Sequence, residues 1–391
     1  MSRTTRLLID QRFIGAEQIK TDESVSILTH DVFKNWNLML DWYKGFKSNP
    51  CEPRKRELLK RLLFDQLSTS IYLLDSPVVV IFKWPNRELR HFLVTKNGNL
   101  IEANDSSMWD RWFPFLQTES GQLKQINIPS NANTLDLEQM VWSQESNNYS
   151  HFLFDFFSPL SFLVNHSSFR EYSNKFILPY FSDMTWQREF FDLIPSLRLR
   201  NMRENFYGDF LIMRPRKLLI PMIPHKCLST HYLRDFLNST DLVSGKSHQI
   251  LNCESRLIMI TRYDLRRKRI RNIDVLESIV KKHGGLLLEA STLTIGQKKQ
   301  IMCKAQICIG EGSALQNFAL FAPINARIIS LLDPTILVDD LYILGGWPYM
   351  QYFSSRTSHI VGSDHQPLPG SPLGSCVYDE NIFKSLIRKY I

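Results

Sequence analysis

The chain has 391 residues, of which 43% are hydrophobic and 22% charged, so it can bury the cores of about two to three domains and is neither fibrous nor disordered. Lysine and arginine number 47 against 39 acidic residues, and the net charge of +8 indicates anionic partners such as phosphate groups, lipid headgroups or nucleic acid. Six scattered cysteines without metal-ligand spacing favour a reducing compartment and no structural metal. No apolar stretch reaches the roughly 20 residues of a membrane span, and we expect no signal peptide.

Residues 1–75 have mixed patterning that predicts mainly helix, and they end in a basic, leucine-rich stretch at 54–67. Leucines at three- and four-residue steps are typical of a surface helix with an apolar inner stripe, and its basic face could also contact phosphate or lipid. From residue 77 the pattern changes to β-branched runs, separated by Trp84-Pro85-Asn86 and by Lys96-Asn97-Gly98. These runs predict successive antiparallel strands.

The middle of the chain returns to aromatic helix over residues 140–185, which also contain a buried strand candidate with the sequence FILPYF. Beyond it, Pro215, Pro221 and Pro224 predict a connecting region, because proline interrupts both helices and sheets. This part of the chain therefore lacks the regular alternation seen further on.

The last third alternates short apolar strands with helical segments, which is typical of βαβ units. The predicted strands are 257–261, 285–289, 306–310 and 326–332, and the predicted helices are 273–283, 294–304 and 313–321. Four parallel strands with three crossovers make a Rossmann-like half. Ligands of such sheets bind at the carboxyl ends of the strands, which here carry Arg262, Glu289 to Ser291, Glu311 to Ser313 and Asp333.

The first candidate for chemistry is the pair His151 and Asp155. On a helix these residues project from one face, where the carboxylate can orient the imidazole and keep it basic. The pair therefore predicts a general base, although the same spacing also fits a structural pair on an aromatic helix.

Two further segments follow strands of the predicted Rossmann-like half. In the run 262–271, six of ten residues are basic, which fits a phosphate site at a strand end but also a solvated loop or a nucleic-acid patch. In the segment 310–317, a strand runs into a Gly-Ser turn and a helix, where small residues let a ligand approach and helix amides can face negative charge. An ordinary tight turn would have the same pattern, which is neither a P-loop nor G-x-G-x-x-G.

In their order and spacing these segments resemble the bacterial branch of family-61 glycosyltransferases, the capsular polysaccharide biosynthesis type, from near residue 147 to 333. His151 and Asp155 match the family's N-Y-x-H-F/W-x-x-D motif, and Arg262, Arg269 and Asn272 match its S/T-R motif with downstream R and N. Gln297 fits an E-Q position, and Gly312, Leu315 and Asn317 fit the motif G-x-H-G-A-x-L-T-N. The departures are Gly296, Glu311, Ser313 and Gln316.

The resemblance implies an α/β protein of the GT-B type, with two Rossmann-like domains facing across a cleft, the N-terminal one less regular. Residues 1–235 would form the acceptor-side domain, with a helical N-terminal segment and β-strands, and residues 236–391 the nucleotide-sugar donor domain. The implied catalytic residues are His151 and Asp155, and the implied donor-binding residues are Arg262, Arg269, Asn272, Gln297, Glu311, Gly312, Ser313 and Asn317. A carboxylate at Glu311 can accept hydrogen bonds from sugar or ribose hydroxyls, but it cannot support a diphosphate as a protonated histidine can.

We therefore expect an inverting, metal-independent glycosyltransferase that uses a nucleotide-sugar as co-substrate and no other cofactor. Its expected acceptor is a glycan or glycolipid of a bacterial capsule or lipopolysaccharide, and its expected location is the cytoplasm, with peripheral contact to the anionic inner face of the membrane. No nucleic acid is expected as a partner. Two alternatives stay open: a nucleic-acid-binding protein that uses residues 262–271, although only Tyr263 interleaves there, and an inactive assembly protein that keeps the fold.

Overall fold

The computed structural model describes residues 4–8, 11–14, 22–32, 68–83, 89–101, 117–119, 122–129, 131–142, 149–169, 175–182, 184–223, 226–240, 255–261, 270, 272–289, 293–331, 350–353, 358–360 and 376–391. The described residues up to 223 form one compact unit, and those from 226 onward form a second. Both units combine helices with strands, and both contain parallel strand pairs, so the protein is a mixed α/β protein as predicted.

The first unit is built mainly of strands. They are β1 (Thr4–Leu8), β2 (Gln11–Ile14), β3 (Val25–Val32), β4 (Ser68–Asp75), β5 (Val78–Lys83), β6 (Leu89–Val94), β7 (Asn99–Ile101), β8 (Gln117–Glu119), β9 (Gln122–Pro129), β10 (Asn133–Val141), β11 (Ile177–Tyr180), β12 (Arg198–Asn201) and β13 (Phe210–Met222). Helix α1 joins the segments Tyr149–His151, Phe152–Phe157 and Ser158–Asn165, and helix α2 is Thr185–Phe191.

The predicted helical N-terminal segment is wrong for the described residues before 76, because these form β1, β2, β3 and β4. Strand β3 contains the β-branched residues Val25, Ile27, Thr29 and Val32 and pairs antiparallel with β4 along its whole length. Pairing with a distant strand decides the conformation here, and local periodicity does not report it. The leucine-rich stretch 54–67 lies outside the described residues.

Strand β13 is the centre of the larger sheet, so the predicted connecting region is wrong for Pro215 and Pro221, while Pro224 lies outside the described residues. Its residues pair in parallel with β10, and on the other side they pair antiparallel first with β5 and then with β4. Pro215 lies where the neighbour changes from β5 to β4, and Pro221 lies past Leu219, the last residue paired with β10. Proline lacks an N–H, so it is tolerated in a strand where a partner strand ends or changes.

The predicted antiparallel strands after residue 77 are confirmed. Strand β5 pairs with β6, and β6 pairs with β7, both antiparallel. Gly98 ends the Lys96-Asn97-Gly98 turn between β6 and β7 with φ 81°, a left-handed conformation that favours glycine. The ring of His91 on β6 lies 6.5 Å from that of Trp142, which follows β10, and 6.0 Å from that of Phe181, which follows β11.

The predicted aromatic helix and FILPYF strand are confirmed as α1 and β11. The order β10, α1, β11, α2, β12 joins three parallel strands through two helices. The sequence did not reveal this second series of βαβ crossovers, which extends the sheet from β13 to its edge at β12.

The second unit confirms the predicted βαβ order. It contains helices α3 (Lys226–Ser239), α4 (Ile273–Lys282), α5 (Ile295–Met302), α6 (Gly312–Ala319) and α7 (Glu380–Tyr390), and strands β14 (Leu257–Thr261), β15 (Leu286–Glu289), β16 (Ile307–Glu311), β17 (Arg327–Leu331), β18 (Met350–Phe353), β19 (Ser358–Ile360) and β20 (Cys376–Tyr378). Among the described residues, the parallel sheet has the order β15, β14, β16, β17, β18, and β18 was not predicted. The proposed domain boundary after residue 235 falls within α3 and stays a prediction.

A buried carboxylate ties the start of β3 to the β6–β7 turn. Asp22 Oδ1 accepts hydrogen bonds from the N–H and hydroxyl of Ser24, at 2.9 and 2.7 Å, and from Asn97 Nδ2 at 2.8 Å. Its Oδ2 accepts from the Thr95 hydroxyl at 2.7 Å. Asp22 is only 6% exposed, so these four donors replace the water that the carboxylate loses on folding.

We expect Asp22→Ala to lower the free energy of unfolding by about 3 kcal/mol, because hydrogen bonds to a charged group contribute about 1.5–3 kcal/mol and the substitution leaves buried donors unpaired. Urea denaturation followed by circular dichroism measures this loss. The neighbouring Glu23 is exposed, and Glu23→Gln is the matched control that should leave stability unchanged. Equal stability of the two variants would show that the Asp22 hydrogen bonds do not hold β3 to the turn.

Candidate active site

His151 lies where a parallel sheet of the first unit is expected to bind ligands. Strand β10 ends at Val141, and α1, the helix that follows it, begins at Tyr149. The parallel neighbour β11 ends at Tyr180, so the carboxyl ends of both strands lie at the same edge. Ligands of open α/β sheets bind at this edge.

The predicted pair is formed. His151 Nδ1 lies 2.7 Å from Asp155 Oδ2, and the side chains are 42% and 27% exposed. An ionised carboxylate only accepts hydrogen bonds, so the proton of this bond belongs to Nδ1. Any proton transfer by this imidazole would therefore use the other ring nitrogen, Nε2, as in other sites where a carboxylate orients a catalytic imidazole.

Asp155 occupies an exceptional position on α1. Every residue from 152 to 163 is buried except Asp155. Burying a charged side chain is costly. Because Asp155 is the one residue of this stretch that is not buried, its carboxylate is accessible both to His151 and to water. The helix thus presents a single acid beside a half-exposed histidine.

Phenylalanines fix α1 against α2. The Phe152 ring packs 5.0 Å from Trp186 and 5.6 Å from Phe190, and Phe157 packs 5.0 Å from Phe190. Aromatic pairs at these distances add favourable edge contacts to the burial of their large surfaces. Because the residues on both sides of Asp155 belong to this packing, the backbone that carries the His–Asp pair is held rigidly.

Tyr149 is the tyrosine of the N-Y-x-H motif, two positions before His151, and the sequence assigned it no role. Its ring packs 4.8 Å from Trp186 and 6.0 Å from Phe190. Burial, together with the nearby Glu189 carboxylate, raises the pKa of the Tyr149 phenol above its ordinary value. The phenol stays protonated at neutral pH, so Tyr149 acts as a packing group and does not serve as a base.

In the second unit, the predicted turn after β16 has the expected form. Glu311 is the last residue of β16, and α6 begins at Gly312. A Cβ atom on Gly310 would lie 3.2 Å from that of Ile260 and 3.3 Å from that of Leu315, so glycine allows strand and helix to approach closely. Asn317 Oδ1 is buried and has no hydrogen-bond partner among the described residues, which leaves it able to accept a hydrogen bond.

Two predicted donor-binding residues make structural hydrogen bonds within the second unit. Asn272 donates from Nδ2 to the Tyr378 carbonyl at 2.8 Å and accepts from the Tyr378 N–H at 3.0 Å, which fastens β20 beside the start of α4. Gln297 forms a capping box with Thr294 at the start of α5. Their roles toward a donor stay predictions, as do those of Arg262 and Arg269, which lie outside the described residues.

A cavity of about 380 Å³ opens at the β10–β13 junction of the first unit. It is lined by residues that include Asp136, Glu138, Arg214 and Arg216. Charges of both signs face it, and no predicted site residue lines it.

In the part of the chain that the structure describes, no three His, Cys, Asp or Glu side chains are grouped to hold a metal ion, and no helix has the length and apolarity needed to cross a bilayer.

The Asn272 contacts lead to a prediction that separates structure from ligand binding. We expect Asn272→Ala to lower the free energy of unfolding by about 1–3 kcal/mol, because it removes two hydrogen bonds to the Tyr378 backbone. Thermal unfolding measures this effect, with Ser278→Ala, an exposed position on α4, as the control. A variant that keeps its melting temperature but no longer binds nucleotide would instead place Asn272 in the donor site.

Comparison with known proteins supports a single family. The model of the family described as Glycosyltransferase 61 matches residues 149–329, which begin at Tyr149 and contain the His151–Asp155 pair and the β16–α6 turn. Among curated proteins, none matches the chain significantly. The family indicates glycosyltransferase activity and implies a sugar donor and an acceptor. This match confirms the resemblance to the glycosyltransferase 61 family over residues 149–329, and the bacterial capsular branch of that family stays a prediction.

Proposed function

We propose that this protein is an inverting glycosyltransferase that transfers a sugar from a nucleotide-sugar to a hydroxyl group of a glycan or glycolipid. The observation that carries this proposal is the 2.7 Å contact between His151 Nδ1 and Asp155 Oδ2 within the family-61 domain. A half-exposed imidazole oriented by a carboxylate is an arrangement that general bases use to activate hydroxyl groups.

In the proposed reaction, His151 Nε2 takes the proton of the acceptor hydroxyl. The hydroxyl oxygen attacks the anomeric carbon from the face opposite the leaving group, and a single displacement inverts that carbon. The bond between the anomeric carbon and the phosphate oxygen breaks, and its electron pair leaves with the nucleotide. Asp155 accepts the Nδ1–H bond and stabilises the imidazolium that forms, so its role is orientation and charge stabilisation.

We place the nucleotide-sugar on the second unit, because its parallel sheet ends in the β16–α6 turn. Backbone amides of Gly312 and Ser313 at the start of α6 would face a phosphate, where a helix amino end favours negative charge. Glu311 would accept hydrogen bonds from sugar or ribose hydroxyls, and Asn317 would supply a further amide. Arg262 and Arg269 would neutralise the leaving phosphate, since one guanidinium group can donate two parallel hydrogen bonds to phosphate oxygens.

This assignment follows the GT-B plan, in which the first unit provides the base that activates the acceptor and the second unit binds the donor. Each unit by itself supports this assignment, because each contains parallel strands joined by helices. We further propose that the acceptor is a bacterial surface polysaccharide, of capsule or lipopolysaccharide, built at the cytoplasmic face of the membrane. The net charge of +8 favours peripheral contact with that anionic surface.

We expect His151→Ala and Asp155→Asn each to lower the transfer rate by about 10²- to 10⁴-fold, the usual contribution of a general base. The assay is sugar transfer to a glycan acceptor from candidate nucleotide-sugars, with circular dichroism to verify folding. A matched control exists on α3, where His231 Nε2 lies 3.4 Å from Asp235 Oδ2 at the same spacing of four residues. His231→Ala and Asp235→Asn should leave transfer essentially unchanged.

Near-normal transfer by both α1 variants would contradict the proposed base. Equal losses in the α1 and α3 pairs would mean that the assay reports a general effect of disrupting helical His–Asp pairs. Loss of folding in His151→Ala and Asp155→Asn would assign the α1 pair a structural role.

We also expect transfer to proceed without a divalent metal. The sequence has no D-x-D, the motif through which many glycosyltransferases bind a metal, and the basic run 262–271 can offset the charge of the leaving phosphate. Initial rates in excess EDTA should equal those with added Mg²⁺ or Mn²⁺. A rate that collapses in EDTA and recovers with one metal would overturn the arginine-based mechanism and make Glu311 a candidate ligand.

A further inference from the structure

Helix α1 changes its geometry around Asp155. Between His151 and Ser158 the chain forms a π-helical turn, Phe152–Phe157, and the Ser158 N–H donates to the Leu153 carbonyl five residues earlier. The backbone stays in the right-handed helical region at both ends, with φ −63° at His151 and −61° at Ser158. Such wide turns are rare and occur frequently at functional sites.

The residue that explains the wide turn is Pro159. In an α-helix the N–H of residue 159 would donate to the carbonyl of residue 155, four positions earlier. Proline has no N–H, and its ring would collide with that carbonyl. The carbonyl four positions before Pro159 is that of Asp155, so the proline ring would collide with the backbone of Asp155. A wider turn moves the carbonyl away from the ring.

The wide turn also decides where Asp155 points. It adds one residue to a helical turn and lies between His151 and Ser158, so closing it to an α turn would rotate His151 relative to Asp155, and both relative to the buried segment that follows. That segment is held by the packing of Phe156 and Phe157 against α2. The rotation would therefore fall on the His–Asp pair, and Asp155 would leave the one opening in the buried stretch 152–163.

We propose that Pro159 is a positioning residue that excludes an α turn and thereby holds the Asp155 carboxylate against His151 Nδ1. Its effect on catalysis rests on the proposed function, in which this pair activates the acceptor. Its effect on the geometry of the pair does not depend on that function and can be measured separately.

The test replaces Pro159 with Ala, which restores the N–H that an α turn needs. Nitrogen chemical shifts of ¹⁵N-labelled histidine, recorded at about pH 9 where an ordinary imidazole is neutral, report which ring nitrogen carries the proton. We expect the proton of His151 on Nδ1 in the natural protein and a loss of this preference in Pro159→Ala and in Asp155→Asn. We expect kcat to fall by about 10²-fold in Pro159→Ala, with KM for the donor unchanged, because small displacements of a catalytic group cost about that much.

Ser161→Ala is the matched control, since Ser161 is buried on the same helix and its hydroxyl donates to the Ser158 carbonyl at 2.7 Å outside the wide turn. It should keep both the Nδ1 proton and the rate. An unchanged proton position in Pro159→Ala would overturn the proposal. A shifted proton with undiminished transfer would support the positioning role and contradict the proposed base. Should Pro159→Ala and Pro159→Gly both fail to fold, Pro159 would hold the fold and the proposal would be overturned.

Discussion

The first unit depends on the pairing of strand β13 with three neighbours. One edge of β13 pairs with β10 over most of its length, and the other edge pairs with β5 and then with β4. These ladders satisfy the backbone of a strand whose side chains contribute Leu211, Met213, Leu218 and Ile220 to the core. Strand β10 is thereby fixed, and α1 follows from its carboxyl end. The position of the His151–Asp155 pair is therefore set by a strand more than 50 residues further along the chain.

Sequence patterns predicted the second unit better than the first because its elements are local. Strands such as Leu257–Thr261 are short, fully buried runs, and Gly284, with φ 73°, ends helix α4 where the sequence placed its end. In the first unit, which residues form strands depends on pairing with strands that are distant in the sequence. Strands β3 and β4 form because each has a partner, and Pro221 is accepted because β10 has already ended. A window of neighbouring residues contains no information about a distant partner.

In the candidate site too, contacts between residues close in the sequence were predictable and contacts between distant residues were not. The spacing of His151 and Asp155 predicted that both lie on one face of α1, because a helix brings residues four apart onto one face, and the structure adds the 2.7 Å contact and the wide turn between them. The contacts of Asn272 could not be predicted, since its partner Tyr378 is 106 residues away. Gln297 had a visible alternative in the sequence, because Thr294 three residues earlier forms the capping-box pattern. The wide turn of α1 had a signal too, in the proline four residues after Asp155.

The buried phenol of Tyr149 has a consequence for the range of pH in which the protein stays folded. Because the pKa of Tyr149 is raised in the folded chain, the folded chain keeps the phenol proton at pH values at which the unfolded chain has lost it. Its contribution to stability is complete below the ordinary tyrosine pKa of about 10 and declines as the pH rises above that value. Burial likewise raises the pKa of the Cys308 thiol, to about 12, in the second unit. Each unit thus contains an acid whose ionisation favours unfolding. In the first unit that acid is Tyr149, at the start of α1, so alkaline conditions weaken the packing of the helix that carries His151.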